Sequence, residues 1–331
     1  MGTRKHKLGI LGCGGIMRGT YTPIIRRLSD RVEVAAVCDP NPQNLSIAAQ
    51  LFPAARPCAD AVQLLETPGL NAVMVLTAER ANAAMATLAM QAGLAVYLEK
   101  PPAISLMEFD ALLDCETRTD VRLFVAFNRR HTPLLNGIEL SNTTTRHVRG
   151  RMSRLRRRLD HFPTTAIHLI DSAQFFFGDF FSEAEVRFFS YPTDSWQVHG
   201  TWPGGVTCEL EFFPASGTNC EYLVFESGDH MIDIQFPNSA SAFPCGRLLR
   251  ITSDGREQSL PPPPGTVTAV PNDDTEQMGY APAFRDFVAA LDSGDPPAPI
   301  WQLSTCHATI AIMETMTQQP HSPVHLFLNK S

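Results

Sequence analysis

Leu8-Gly9-Ile10-Leu11-Gly12-Cys13-Gly14-Gly15-Ile16 is a short apolar run entering a Gly-rich turn, and Tyr97-Leu98-Glu99-Lys100-Pro101-Pro102 is a second apolar run ending on a lysine. The first pattern lets backbone lie against a dinucleotide pyrophosphate. The second places an amine at the mouth of a sheet, where it can hold or release a proton on a substrate oxygen. Hydride transfer at a carbonyl carbon needs both. Gly12 allows the tight turn, and Gly14 removes a Cβ that would block the pyrophosphate; Cys13, Gly15 and Ile16 complete the turn, with Met17 where a third glycine usually stands. Asp39, at the end of the next apolar run, suits an adenosine ribose and would repel a 2′-phosphate, which favours NAD over NADP. It also reads as the opener of the turn Asp39-Pro40-Asn41-Pro42.

Further residues carry chemistry with an ordinary structural reading beside it. His168 lies in the apolar stretch Ala166-Ile167-His168-Leu169-Ile170, as a proton carrier or a packed core histidine; Asp171, at helical spacing from it, would orient the ring or cap a neighbouring element, and is also a candidate to touch substrate. Asn128 and Arg129 follow the last strand of the first half, where they would either lie close to the cleft or form a purely structural hinge. Seven arginines (Arg146, Arg149, Arg151, Arg154, Arg156, Arg157 and Arg158) stand without an intervening acidic residue in a chain of net charge −7. If extended, they would occupy both faces of a strand. Arg129, Arg154 and Arg156 are then candidates for an anionic substrate, such as a uronate, sugar phosphate or nucleotide sugar. A solvated or subunit-contacting face is the other use.

Positioning these groups requires two architectures. Through Phe127, apolar runs (Lys7–Leu11, Val32–Cys38, Ala72–Thr77, Leu94–Leu98 and Arg122–Phe127) alternate with amphipathic stretches, the pattern of a buried parallel sheet. The fold class is therefore α/β, with a doubly wound Rossmann domain over 1–127. Residues 128–331 form an α+β domain for substrate and oligomerisation, with a large, mostly antiparallel sheet built from runs such as Glu185–Ser190 and Val206–Phe213. Pro261–Gly265 reads as a loop, and Ala281–Leu291 and Leu303–Met316 as closing helices. Val206, Cys208, Leu210 and Phe212 supply one apolar face of the second sheet, and Trp196, Val198 and Tyr222 another. Two such faces predict a homodimer or homotetramer through that sheet.

The negative charge argues against nucleic-acid binding. The eight scattered cysteines read as reduced thiols of a cytoplasmic protein. The basic start halts at glycines too soon for a signal peptide, His6 breaks the myristoylation pattern, and no stretch has membrane-spanning length. No metal is expected.

The chain resembles the Gfo/Idh/MocA family of NAD(P)-dependent oxidoreductases. The resemblance rests on Gly12-Cys13-Gly14-Gly15-Ile16, Glu99-Lys100-Pro101, Ala126-Phe127-Asn128-Arg129-Arg130, and His168-Leu169-Ile170-Asp171 before Phe177-Gly178; the asparagine–arginine stretch is similar to the MviM-like subgroup. It implies a carbohydrate-like hydroxyl or ketone as substrate, Lys100 and His168 as the acid–base set, and Thr77, Glu99 and Asn128 beside the cofactor. Two departures stand out. Thr164 occupies the place, one turn before His168, of the family's aspartate. The stretch after the fourth strand reads Thr77-Ala78-Glu79-Arg80-Ala81-Asn82. Thr164 can bond a substrate hydroxyl but supplies no negative charge. A cofactor-dependent sensor without turnover is the competing expectation.

Overall fold

The computed structural model describes residues 5–135, 144–238, 241–243, 245–259, 273–294 and 302–328. The chain forms two compact units: Met1–Phe127 with Tyr280–Thr305, and Asn128–Gly279 with Cys306–Ser331.

The first unit carries six parallel strands, β1 (His6–Leu11), β2 (Val32–Cys38), β3 (Arg56–Cys58), β4 (Ala72–Val75), β5 (Ala95–Glu99) and β6 (Leu123–Ala126). Their order, β3-β2-β1-β4-β5-β6, is that of a Rossmann sheet. β4, β5 and β6 are buried at every position, which is why they show no polar alternation in sequence. The intervening helices are α1 (Thr22–Arg27), α2 (Pro42–Leu51), α3 (Ala61–Leu65), α4 (Glu79–Gln91) and α5 (Leu106–Thr119). Side-chain oxygens of Asn41, Asp60 and Ser105 cap the first turns of α2, α3 and α5, accepting backbone N–H groups left over there.

The second unit holds a nine-stranded sheet. It comprises β7 (Thr145–Ser153), β8 (Glu183–Phe189), β9 (Ser195–Thr201), β10 (Thr207–Phe213), β11 (Cys220–Ser227), β12 (His230–Gln235), β13 (Arg247–Thr252), β14 (Glu257–Ser259) and β15 (Val324–Phe327). The order is β14-β13-β12-β11-β7-β10-β9-β8-β15, antiparallel throughout except where β7 meets β10. Helices α6 (Pro163–Phe177) and α9 (His307–Thr317) pack against it, and α7 (Asp274–Gln277) is a single turn. The fold is thus mixed α/β, a parallel Rossmann sheet followed by a larger, mostly antiparallel one.

Two expectations are corrected. The helix α8 (Tyr280–Ser293), expected in the second domain, belongs to the first unit. Its apolar stripe fits the first core: Phe284 meets Tyr97 with ring centroids 5.7 Å apart, and Phe287 meets Phe124 at 5.0 Å. The second sheet does not present two apolar faces of the expected composition. Trp196 stands opposite Phe212 and Val198 opposite Leu210, so all four share the buried face. Tyr222 lies on the other face, opposite Arg151. Pro261–Gly265 lies outside the described residues. Among the described residues, no helix is long and apolar enough to cross a membrane.

Candidate functional site

The residues of the first unit expected to do chemistry lie at the carboxyl ends of β1, β2, β4 and β5. Gly12 has φ +93°, and a Cβ there would stand 2.4 Å from the Leu76 carbonyl oxygen, so the fold itself requires glycine. Gly14 and Gly15 differ: no described atom lies within 4 Å of where their Cβ atoms would be. Packing within the chain therefore does not require glycine at those two positions. The turn runs into a π-helical segment, Met17–Tyr21, which passes into α1.

Asp39 serves the turn directly. Its Oδ2 accepts the Cys13 N–H at 2.7 Å, and its Oδ1 accepts from Asn41 N at 2.8 Å and Asn44 Nδ2 at 3.3 Å. A carboxylate has about four lone-pair sites, so capacity remains for a ribose hydroxyl. The turn-opening and the ribose-binding readings of Asp39 are therefore compatible. Cys13 is buried, and burial pushes its thiol up to about 12, which keeps it an inert neutral group.

Lys100 is partly buried just past β5, and its backbone is fixed on both sides. Asn82 Nδ2 donates to the carbonyls of Glu99 (3.1 Å) and Pro101 (2.9 Å), while Thr77 Oγ1 donates to Asn82 Oδ1 at 2.8 Å. Thr77 thus acts through Asn82. Asn82 is not among the residues expected from sequence to form the site; its five-residue spacing from Thr77 is the signal that marks it. Glu99 is buried, with Oε1 accepting the Tyr21 hydroxyl at 2.5 Å and Oε2 the Lys100 N–H at 3.1 Å.

In the second unit, His168 is buried on α6, and Thr164, one turn earlier, is partly exposed with its hydroxyl donated to the His161 carbonyl at 3.0 Å. Asp171 departs from expectation. Both its oxygens are taken by Arg130, Nη2 to Oδ1 at 2.6 Å and Nε to Oδ2 at 3.0 Å, with each side chain about 1% exposed. The Arg130 guanidinium also lies 4.9 Å from the Phe175 ring centroid. Asp171 is the partner of a buried arginine, which corrects its reading as a histidine orienter or substrate ligand.

The arginine run is corrected in the same way. Arg129 grips Glu221 with two bonds, Nε to Oε1 at 2.9 Å and Nη2 to Oε2 at 3.1 Å, and Arg154 Nη2 reaches Oε2 at 2.5 Å. Burial would raise the Glu221 carboxyl, but the two guanidiniums outweigh it and bring it down to about 2. Neither Arg129 nor Arg154 is the open anion ligand expected of it. Arg149 and Arg151 lie on one face of β7, not two, and pair with Glu226 and Glu211. Arg156 is exposed after β7. Asn128 is buried and donates to the Met278 carbonyl at 2.7 Å, a structural bond within its own unit.

Strand order, Gly-rich turn and the acidic residue after β2 define a dinucleotide-binding Rossmann unit joined to an α+β unit. Residues 6–127 match the model of the oxidoreductase family with an NAD-binding Rossmann fold, Gfo/Idh/MocA. D-apiose dehydrogenase of Paraburkholderia graminis is 29% identical over 193 residues, 53% of this chain and 51% of that one. The chain thus aligns with about half the length of this curated relative, and with 36% of myo-inositol 2-dehydrogenase of Thermotoga maritima, at 26% identity and over 38% of this chain. The fold is also that of a dehydrogenase (MviM) from Clostridium difficile, with a TM-score of 0.78 and 17% identity over 95% of this chain and 99% of that one.

Proposed function

We propose that the protein is an NAD-dependent oxidoreductase acting on a hydroxyl or ketone of a carbohydrate-like substrate. The single observation that carries this reading is the open space at Gly14 and Gly15, at a turn that Asp39 holds, in the same unit as Lys100. Bound nicotinamide would supply the hydride acceptor or donor. The turn from Gly12 to Ile16 would receive the pyrophosphate and Asp39 the ribose, which favours NAD over NADP. Lys100, its flanking carbonyls fixed by Asn82, would hold or release the proton on the substrate oxygen as the hydride moves. His168 is proposed as its assistant on the family resemblance. The relatives named as dehydrogenases of D-apiose and myo-inositol support a polyol or sugar.

An anionic sugar is the finer reading. Exposed Arg156 and Arg157 support it after Arg129 and Arg154 have been assigned to Glu221. The homo-oligomer stays a proposal, carried by aromatic and aliphatic groups among the charges of the open sheet face, such as Phe213 and Tyr222. The free thiols fit a reducing, cytoplasmic setting.

One observation favours the sensor reading. Thr164 brings no charge, and its hydroxyl is bonded to His161. Screening polyols, uronates and nucleotide sugars with NAD, alongside Lys100→Ala, separates the two. Turnover abolished by that change supports the oxidoreductase, and NADH binding without turnover on any of them supports the sensor.

A further inference from the structure

We propose that Glu99 is the buried counter-ion of the Lys100 ammonium and that Tyr21 is the donor that holds Glu99 in that role, making both positioning residues for Lys100. The proposal rests on Lys100 as the proton-handling group above. Three side chains form a continuous chain: the Tyr97 and Tyr21 hydroxyls are 3.1 Å apart, and the Tyr21 hydroxyl is 2.5 Å from Glu99 Oε1. Both tyrosines are fully buried, and Glu99 is only 6% exposed. Tyr21 has one proton, which goes to the carboxylate, so its oxygen is left to accept from Tyr97. The second carboxylate oxygen takes the Lys100 backbone N–H at 3.1 Å.

A polar chain in this place is not explained by packing. Phe284 and Phe287 pack against Tyr97, with Phe124 its register partner on β6, and phenylalanine at 21 and 97 would fill the same volume without burying hydroxyls. The chain leads to the residue next to Lys100 in sequence. Burial pushes the Glu99 carboxyl up, while the Lys100 charge and then the Tyr21 hydroxyl pull it back. Burial and the Glu99 charge push the Tyr21 phenol far up, which keeps it a donor. Tyr280 and Asp286 of α8 bear on Tyr97, and Asn82 bonds the Glu99 carbonyl, not its carboxylate. Glu99 therefore keeps Lys100 protonated until a substrate oxygen takes the proton, and weakening Glu99 makes the amine easier to deprotonate.

Lys100 is one of only four lysines in the chain, so its reactivity can be followed singly. The full-length protein is acylated with trace acetic anhydride over a pH series, and Lys100 labelling is read by peptide mass relative to exposed Lys5. In Glu99→Gln, labelling of Lys100 at pH 8 is expected to rise about tenfold, with its titration moved to lower pH. Tyr21→Phe should move it the same way by a smaller factor; it carries the test alone if Glu99→Gln does not fold. Identical Lys100 titrations in wild type and in every folded variant would overturn the proposal. NADH binding by the wild type, measured in parallel, reports on the oxidoreductase reading separately, because labelling needs neither cofactor nor substrate.

Discussion

Asp39 Oδ2 accepts the Cys13 N–H at 2.7 Å, so the end of β2 holds the Gly-rich turn that follows β1. One carboxylate thereby shapes the turn and remains available to a ribose. Asp39→Ala should lose both functions: about 1–3 kcal/mol of stability from the orphaned Cys13 and Asn41 N–H groups, and about tenfold or more in NADH affinity. Asp39→Asn should keep most of the stability and narrow the preference for NADH over NADPH, because the charge that repels a 2′-phosphate is gone. Urea unfolding with paired titrations of the two cofactors reads this; an unchanged NADH-to-NADPH ratio in Asp39→Asn would count against the ribose role.

Arg130 and Asp171 form a two-bonded ion pair excluded from water. Removing one partner leaves a buried charge, so Asp171→Asn should cost about 3–5 kcal/mol of unfolding free energy. Replacing both with apolar residues, as in Arg130→Met with Asp171→Leu, should recover most of it. Stability near wild type in Asp171→Asn alone would show that the pair is not the buried strut described.

Glu221 gives a pH dependence with a definite sign. Its folded carboxyl lies near 2 against an ordinary value of 4.5, so its contribution is complete above about 4.5 and is lost as pH falls through the folded value. The full effect is about 3 kcal/mol. Urea midpoints should therefore drop steeply between about pH 4.5 and 3 in the wild type. Glu221→Gln should be less stable at pH 7 and show a flatter decline. Parallel declines for both proteins would remove Glu221 from the account.

What could be read from sequence follows from the range of each interaction. The Gly-rich turn, Asp39 and Lys100 each sit at the end of a strand whose apolar run is local, so pattern alone located them. Strand parity was less secure. Alternation within a strand does not say which residues of the neighbouring strand stand opposite, so from sequence Trp196 and Val198 fall on the wrong face, which the register with Phe212 and Leu210 corrects. Partners distant in sequence were not legible. Nothing near Asp171 signals Arg130, 41 residues earlier, and nothing near Tyr21 signals Glu99, 78 residues later. Likewise, the apolar stripe of α8 marks a buried helix without saying which core receives it.

The central claim is that the Gly-rich turn receives a dinucleotide, and Gly14→Ala tests it most directly. With no described atom within 4 Å of the added Cβ, the substitution should leave unfolding free energy within about 0.5 kcal/mol of wild type. Gly12→Ala, forced against the Leu76 carbonyl, should not be so tolerated. NADH fluorescence titration should show binding to the wild type and at least about a tenfold loss in Gly14→Ala, from a methyl placed where the pyrophosphate must approach. Equal NADH affinity in the two proteins, or no binding of NADH or NADPH to the wild type at millimolar concentration, would contradict it.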